Sequence, residues 1–98
     1  MVTVKRTRAF SAWLSSLKDK ETCVRLNRRL DRVSRGHFGD VKPIGNGVFE
    51  MREHFGPGWR MYYIQRGTTL VVMLGGGDKS TQAADICKAI QYATAIEE

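Results

Sequence analysis

Between residues 50 and 62 the chain gathers side chains that bind phosphate or move protons: Glu50, Arg52, His54, Arg60 and Tyr62. Residues 48–55 alternate, placing Glu50, Arg52 and His54 on one face of a strand and Phe49, Met51 and Phe55 on the other. From Trp59 to Gln65 the alternation returns, with Trp59, Met61 and Tyr63 opposite Arg60, Tyr62 and Ile64. Gly56-Pro57-Gly58 between the two runs is a turn signal. A hairpin there would set cross-strand side chains about 4.5–5.5 Å apart at Cβ. In a common-face register, two guanidiniums would then stand beside an imidazole and a phenol. Guanidinium forks bind phosphate bidentately, and a tyrosine can stack on a base or move a proton. The plainer reading is a solvated strand face whose arginines pair with Glu50 or Glu53.

Two further basic features lie outside that hairpin. Gly75-Gly76-Gly77-Asp78-Lys79-Ser80 precedes a helical segment, yet it lacks the glycine spacing of a nucleotide-binding phosphate loop. Lys79 is expected to project from the sheet edge towards the same polar face, with Ser80 or Thr81 capping the last helix. Arg25, Arg28, Arg29, Arg32 and Arg35 cover one arc of a helix. They suit phosphates or an acidic partner, or simply a soluble outer face.

Ser, Cys and His form no recognisable triad, and no acidic cluster suggests a two-metal nuclease. No metal and no cofactor is expected. Phosphodiester chemistry without a metal is open to RNA, whose 2′-hydroxyl can attack the adjacent phosphate. The protein must then align the nucleotide and offset the charge of the transition state.

The elements that must position these groups follow from periodicity. Residues from Val2 start as a strand. Phe10, Trp13, Leu14 and Leu17 keep helical spacing, with Ser11 as the expected cap. A second helix, about Glu21 to Arg35, carries Cys23, Leu26, Leu30 and Val33 inward and stops at Gly36. Strands are expected at 40–44, 48–55, 59–65 and 69–74, then a helix from about Thr81 to Ile96. Short glycine turns imply antiparallel neighbours. The two N-terminal helices would pack on one face of a twisted antiparallel sheet in the order β-α-α-β-β-β-β-α. The other face is expected to stay open and polar. Cys23 and Cys87 both read as buried structural thiols.

At 98 residues the chain, 1–98, reads as a single domain. Its 42% hydrophobic and 27% charged content excludes a disordered chain. Nothing approaches a membrane span or a signal peptide, so a cytoplasmic protein with no membrane partner is expected. The net charge is +6, and the basic excess lies entirely in the first half, which carries eleven basic and four acidic residues. That lopsidedness points to a polyanionic partner, with a soluble surface as the plain alternative.

Three stretches bring a known family into view: Phe38 to Arg52, Phe55-Gly56-Pro57-Gly58-Trp59-Arg60-Met61-Tyr62-Tyr63, and Leu74 to Ile86 with its Gly-Gly-Asp-Lys-Ser-Thr-Gln. Together they resemble the addiction-module killer proteins of the RelE/ParE toxin superfamily, near its HigB-like branch. The resemblance covers essentially the whole chain. It implies a RelE-like α+β fold and, in many members, metal-independent cleavage of messenger RNA on the ribosome. By resemblance Arg60 matches the transition-state arginine, Arg52 a basic residue on the preceding strand and, more loosely, Lys79 the late basic residue. Glu50 departs from the pattern, standing where RelE has a second basic residue. The C-terminal tyrosine of RelE has no equivalent, since Tyr92 lies well inside the last helix. The general base is open between His54 and Tyr62. The candidate catalytic set is therefore Arg52, Arg60, Lys79, Tyr62 and His54. Lys42, Arg25, Arg28, Arg29 and Arg32 are the candidate RNA-binding set. The family also implies a cognate antitoxin, often a helix-turn-helix protein, with DNA touched only through that complex. A ParE-type inhibitor of DNA gyrase and a catalytically silent antitoxin-binding module are the alternatives.

Overall fold

The computed structural model describes residues 1–96; residues 97 and 98 lie outside the described residues. Strand β1 (Thr3–Arg6) leads into helix α1 (Arg8–Ser16) and helix α2 (Lys20–Ser34). Four strands follow: β2 (Val41–Gly45), β3 (Val48–Arg52), β4 (Arg60–Arg66) and β5 (Leu70–Gly77). A single 3-10 turn (Lys79–Thr81) leads into helix α3 (Gln82–Ile96). Among the described residues no helix is long and apolar enough to cross a membrane.

The strands form one sheet in the order β1-β5-β4-β3-β2. Three of the pairings are antiparallel, as the short turns imply, and Asn46 takes the left-handed conformation (φ 55) that the tight β2–β3 turn needs. At the other edge β1 pairs parallel to β5, so the sheet is mixed and the purely antiparallel expectation fails there. The reason is connectivity. The α1–α2 hairpin lies in the crossover between β1 and the rest of the sheet, and such a crossover permits parallel neighbours.

Both faces are covered. Under α1 and α2 lie Phe10, Leu14, Leu26, Leu30, Val33, Met51, Met61, Tyr63 and Met73. The opposite face, expected to be open, carries a second core of Val48, Tyr62, Ile64, Val72 and Leu74 beneath Ala89 and Ala93 of α3. The helices are thus not confined to the N-terminal half, since α3 is as long as α2. Small residues let α3 settle close to the sheet. At the end of β5 a Cβ on Gly76 would lie 2.5 Å from Cζ3 of Trp13, and one on Gly77 would collide with Asp85. The glycine run therefore admits bulky groups against both sides of β5.

Two local expectations shift. The first helix begins earlier, capped by Thr7 rather than Ser11, because the Thr7 hydroxyl accepts from Phe10 N at 3.1 Å. The last helix is entered through the 3-10 turn that holds Ser80 and Thr81, and Asp78 caps that turn by accepting from Ser80 N at 2.8 Å. Cys23 is half-buried, but Cys87 is exposed on the outer face of α3.

One buried side chain joins α2 to the sheet. Arg29 donates to the carbonyls of Phe38 (3.1 and 2.9 Å), Asp40 (2.9 Å) and Arg52 (2.9 Å), and pairs with Glu53. Arg29→Met would remove the guanidinium donors of all three carbonyls, with Asp40 O keeping only Arg52 N, and leave the Glu53 carboxylate without its cation. Breaking a buried pair from one side costs about 3–5 kcal/mol. Urea unfolding should show a loss of that order, and a change of less than about 1 kcal/mol would contradict the assigned role.

Candidate active site

The β3–β4 hairpin has the register that a common face requires: Glu50 stands opposite Tyr62, and Arg52 opposite Arg60. The pairs nonetheless have different fates along the strand. The Glu50–Tyr62 end runs under α3, while the Arg52–Arg60 end reaches past it to the Gly56–Gly58 turn.

Tyr62 is therefore a core residue. It is fully buried, and its hydroxyl donates to Oε2 of Glu50 at 3.3 Å. Burial, followed by the Glu50 charge, pushes its pKa well up. A phenol so placed neither touches a ligand from solvent nor accepts a proton near neutral pH, so its expected catalytic role is corrected. Glu50 is buried too, accepting from Nε2 of Gln82 at 2.7 Å, with Nε of Arg60 3.9 Å from its Oε1. The sequence departure at Glu50 is thus an internal counter-charge, locked beneath the first turn of α3.

Arg60 is 7% exposed. Its Nη1 donates to the carbonyls of Glu53 (3.2 Å) and Trp59 (3.1 Å), while Nε is buried without a hydrogen-bond partner among the described residues. The guanidinium forms the floor of a depression of about 300 Å³ lined by Glu53, His54, Gly56, Pro57, Gly58 and Lys79. Gly58 (φ +81) occupies a backbone region that favours glycine, and Lys79 and Arg60 flank it: a Cβ there would lie 3.4 Å from Cβ of Lys79 and 3.6 Å from Nη1 of Arg60. Lys79 is exposed, and its backbone N–H donates to Pro57 O at 3.4 Å, which ties the 3-10 turn to the hairpin loop.

Arg52 and His54 meet on a residue absent from the sequence-derived set, Asp40. Arg52 donates to it through Nε (3.3 Å) and Nη2 (3.1 Å), and Nε2 of His54 lies 2.7 Å from the same carboxylate. Those hydrogen bonds, Arg52 first and His54 second, hold the Asp40 carboxyl below the usual carboxylate range. Arg52 is therefore paired rather than free. Straight counting from the Gly45–Val48 pair would set Asp40 opposite Glu53; a register shift between Pro43 and Gly45 brings it to Arg52 instead, whose N–H donates to Asp40 O. Glu53, offered by the sequence as a partner for the strand arginines, pairs instead with Arg29 of α2 and lines both the depression and a second cleft.

That second cleft, about 150 Å³, is lined by Arg25, Arg28, Arg32 and Glu53. All three arginines are exposed, and the guanidinium carbon of Arg25 lies 3.7 Å from the Phe55 ring centroid. Arg29 does not join them, because it is the buried clamp described above; its expected RNA contact is corrected. Lys42 is exposed on the edge strand β2, outside both clefts. Among the described residues no three His, Cys, Asp or Glu side chains converge as a metal cage.

Residues 12–95 match the family described as Phage derived protein Gp49-like (DUF891). The chain belongs to the Gp49-like family. An uncharacterized protein of Haemophilus influenzae is 42% identical over 88 residues, which is 90% of this chain and 89% of that one. Among solved structures, the toxin–antitoxin complex RelBE2 from Mycobacterium tuberculosis contains a similar chain with a TM-score of 0.66. The two are 22% identical, and the likeness covers 80% of the Gp49-like chain and 98% of the other. The Gp49-like chain therefore has the RelE fold that the sequence resemblance implies.

The Asp40 geometry has a consequence for acid stability. A carboxylate whose pKa is lowered by folding stabilises the protein above its unfolded value, near 3.8, and that contribution is lost as pH falls through the folded value. Asp40→Asn should flatten the fall in melting temperature between about pH 5 and about pH 2.5, the span over which carboxylates titrate. Wild type and variant losing equal stability over that interval would contradict the pairing.

Proposed function

We propose that this Gp49-like protein is the toxin of a type II toxin–antitoxin pair, acting as a metal-independent, ribosome-dependent mRNA endonuclease in the cytoplasm. The observation that carries the reading is the depression at the Gly58 end of the sheet, where His54, Lys79 and Arg60 face one space beside the arginine row of α2. The RelE fold supports it, and so does the toxin–antitoxin setting in which the similar solved chain occurs.

In this reading the 2′-oxygen of the substrate forms a bond to the adjacent phosphorus as the P–O5′ bond breaks. His54 accepts the 2′-hydroxyl proton, and the leaving 5′-oxygen takes a proton from solvent. The products are a 2′,3′-cyclic phosphate and a 5′-hydroxyl. Lys79 and Arg60 offset the charge that builds on the phosphoryl oxygens. Arg25, Arg28 and Arg32 bind the phosphate backbone of messenger or ribosomal RNA, a contact that weakens as salt rises. Lys42, on the far edge strand, is assigned a peripheral RNA contact. A cognate antitoxin, of the helix-turn-helix kind, is the expected protein partner.

Primer extension on a defined message, with and without translating ribosomes, tests this. Wild type should cut only with ribosomes. Arg60→Ala and Lys79→Ala should each slow cutting about 10²–10³-fold, the usual effect of losing one transition-state donor. Absence of cuts from protein that still arrests growth would overturn the reading and favour gyrase as the target, which a supercoiling assay would show.

A further inference from the structure

We infer that Asp40 is the positioning residue for proton transfer at His54, and that Arg52 acts through Asp40 rather than on the substrate. The inference rests on the nuclease reading above and extends it to two residues.

Asp40 is held through both its backbone and its carboxylate. Its backbone oxygen accepts from Arg52 N at 3.0 Å and from Nη2 of Arg29 at 2.9 Å, which fixes the main chain. Nη2 of Arg52 meets Oδ1 at 3.1 Å and Nε meets Oδ2 at 3.3 Å, so the guanidinium edge fixes the plane of the carboxylate. Nε2 of His54 then lies 2.7 Å from Oδ2.

Among the described residues His54 has no other hydrogen-bond anchor. Its side chain is 73% exposed, and Asp40 is its hydrogen-bond partner among the described residues. Without that bond the ring would be free to turn. With it, the acceptor carboxylate demands a proton on Nε2 and leaves Nδ1 as the basic nitrogen. The other charged groups on the depression are Glu53, Arg60 and Lys79; Glu53 is engaged by Arg29 and Arg60 lies against Glu50. When Nδ1 takes the 2′-hydroxyl proton, the resulting imidazolium already faces an ionised carboxylate. Arg52, which directs two side-chain hydrogen bonds onto Asp40, keeps that carboxylate aimed.

Single-turnover cleavage on programmed ribosomes, run with toxin binding measured in parallel, separates positioning from binding. His54→Gln should slow the step about 10²–10⁴-fold, the range for a lost general base. Asp40→Asn should slow it about 10–100-fold, as lost orienting partners do, with binding to ribosomes within about twofold of wild type. Asp40→Glu should recover part of the rate. The double variant should be no slower than His54→Gln alone, because Asp40 acts through that ring. The chain has two histidines, His37 and His54, so the His54 ring nitrogens can be assigned in 15N spectra by their loss in His54→Gln. In wild type they should report a single tautomer protonated at Nε2.

Asp40→Asn cutting at the wild-type rate while His54→Gln fails would overturn the inference and leave the nuclease reading standing. A wild-type His54 ring that exchanges between both tautomers would also overturn it, whether or not the variants fold. Wild type that cuts no RNA on ribosomes would overturn the nuclease reading itself.

Discussion

A single buried guanidinium sets the geometry of the functional end of this molecule. Arg29 projects from α2 into the gap between the loop before β2 and the end of β3, and there it satisfies three backbone carbonyls and one carboxylate. The Asp40 carbonyl also accepts from Arg52 N at 3.0 Å, and unpaired buried acceptors are costly. The clamp fixes the backbone of Asp40 and of Arg52, and so it fixes the ion pair between their side chains. It holds Glu53, whose backbone oxygen in turn receives Arg60. The order of dependence is Arg29, then Asp40 and Glu53, then Arg52, His54 and Arg60.

The same network decides which positive charge is left for a ligand. Each arginine at the sheet end faces a carboxylate: Arg29 faces Glu53, Arg52 faces Asp40, and Arg60 lies against Glu50. Burying an arginine beside its counter-charge avoids the penalty of an isolated ion. It also lowers the local field, so the exposed cations Lys79, Arg25, Arg28 and Arg32 dominate what an incoming polyanion meets. Helix α3 belongs to this arrangement. Gln82, in its first turn, bonds Glu50, so the helix that covers the second core also holds the carboxylate next to Arg60.

Much of this was legible in the sequence. Alternation and glycine turns placed β3 and β4 as neighbours but left their register open, and the helical spacing of Leu26, Leu30 and Val33 placed the buried face of α2. What was missed has physical reasons. Alternation assigns a residue to a face without saying what covers that face, so Tyr62 and Glu50 read as polar-face residues although α3 lies over them. The helical arc of Arg25, Arg28, Arg29 and Arg32 gives no sign that one member is turned inward, because burial of Arg29 depends on carbonyls from a distant loop. Parallel pairing of β1 is likewise non-local. Asp40 was not marked either, since its place beside Arg52 depends on a register shift in β2 and a lone aspartate before a strand carries no motif.

The most direct test of the proposed chemistry replaces the attacking group in the substrate. A message carrying a single 2′-deoxy nucleotide on the 5′ side of the scissile bond should resist cleavage at that position on programmed ribosomes. The all-ribose message should be cut there to give a 2′,3′-cyclic phosphate end. Equal cutting of both messages would contradict attack by the RNA's own hydroxyl, and with it the roles assigned to His54, Arg60 and Lys79.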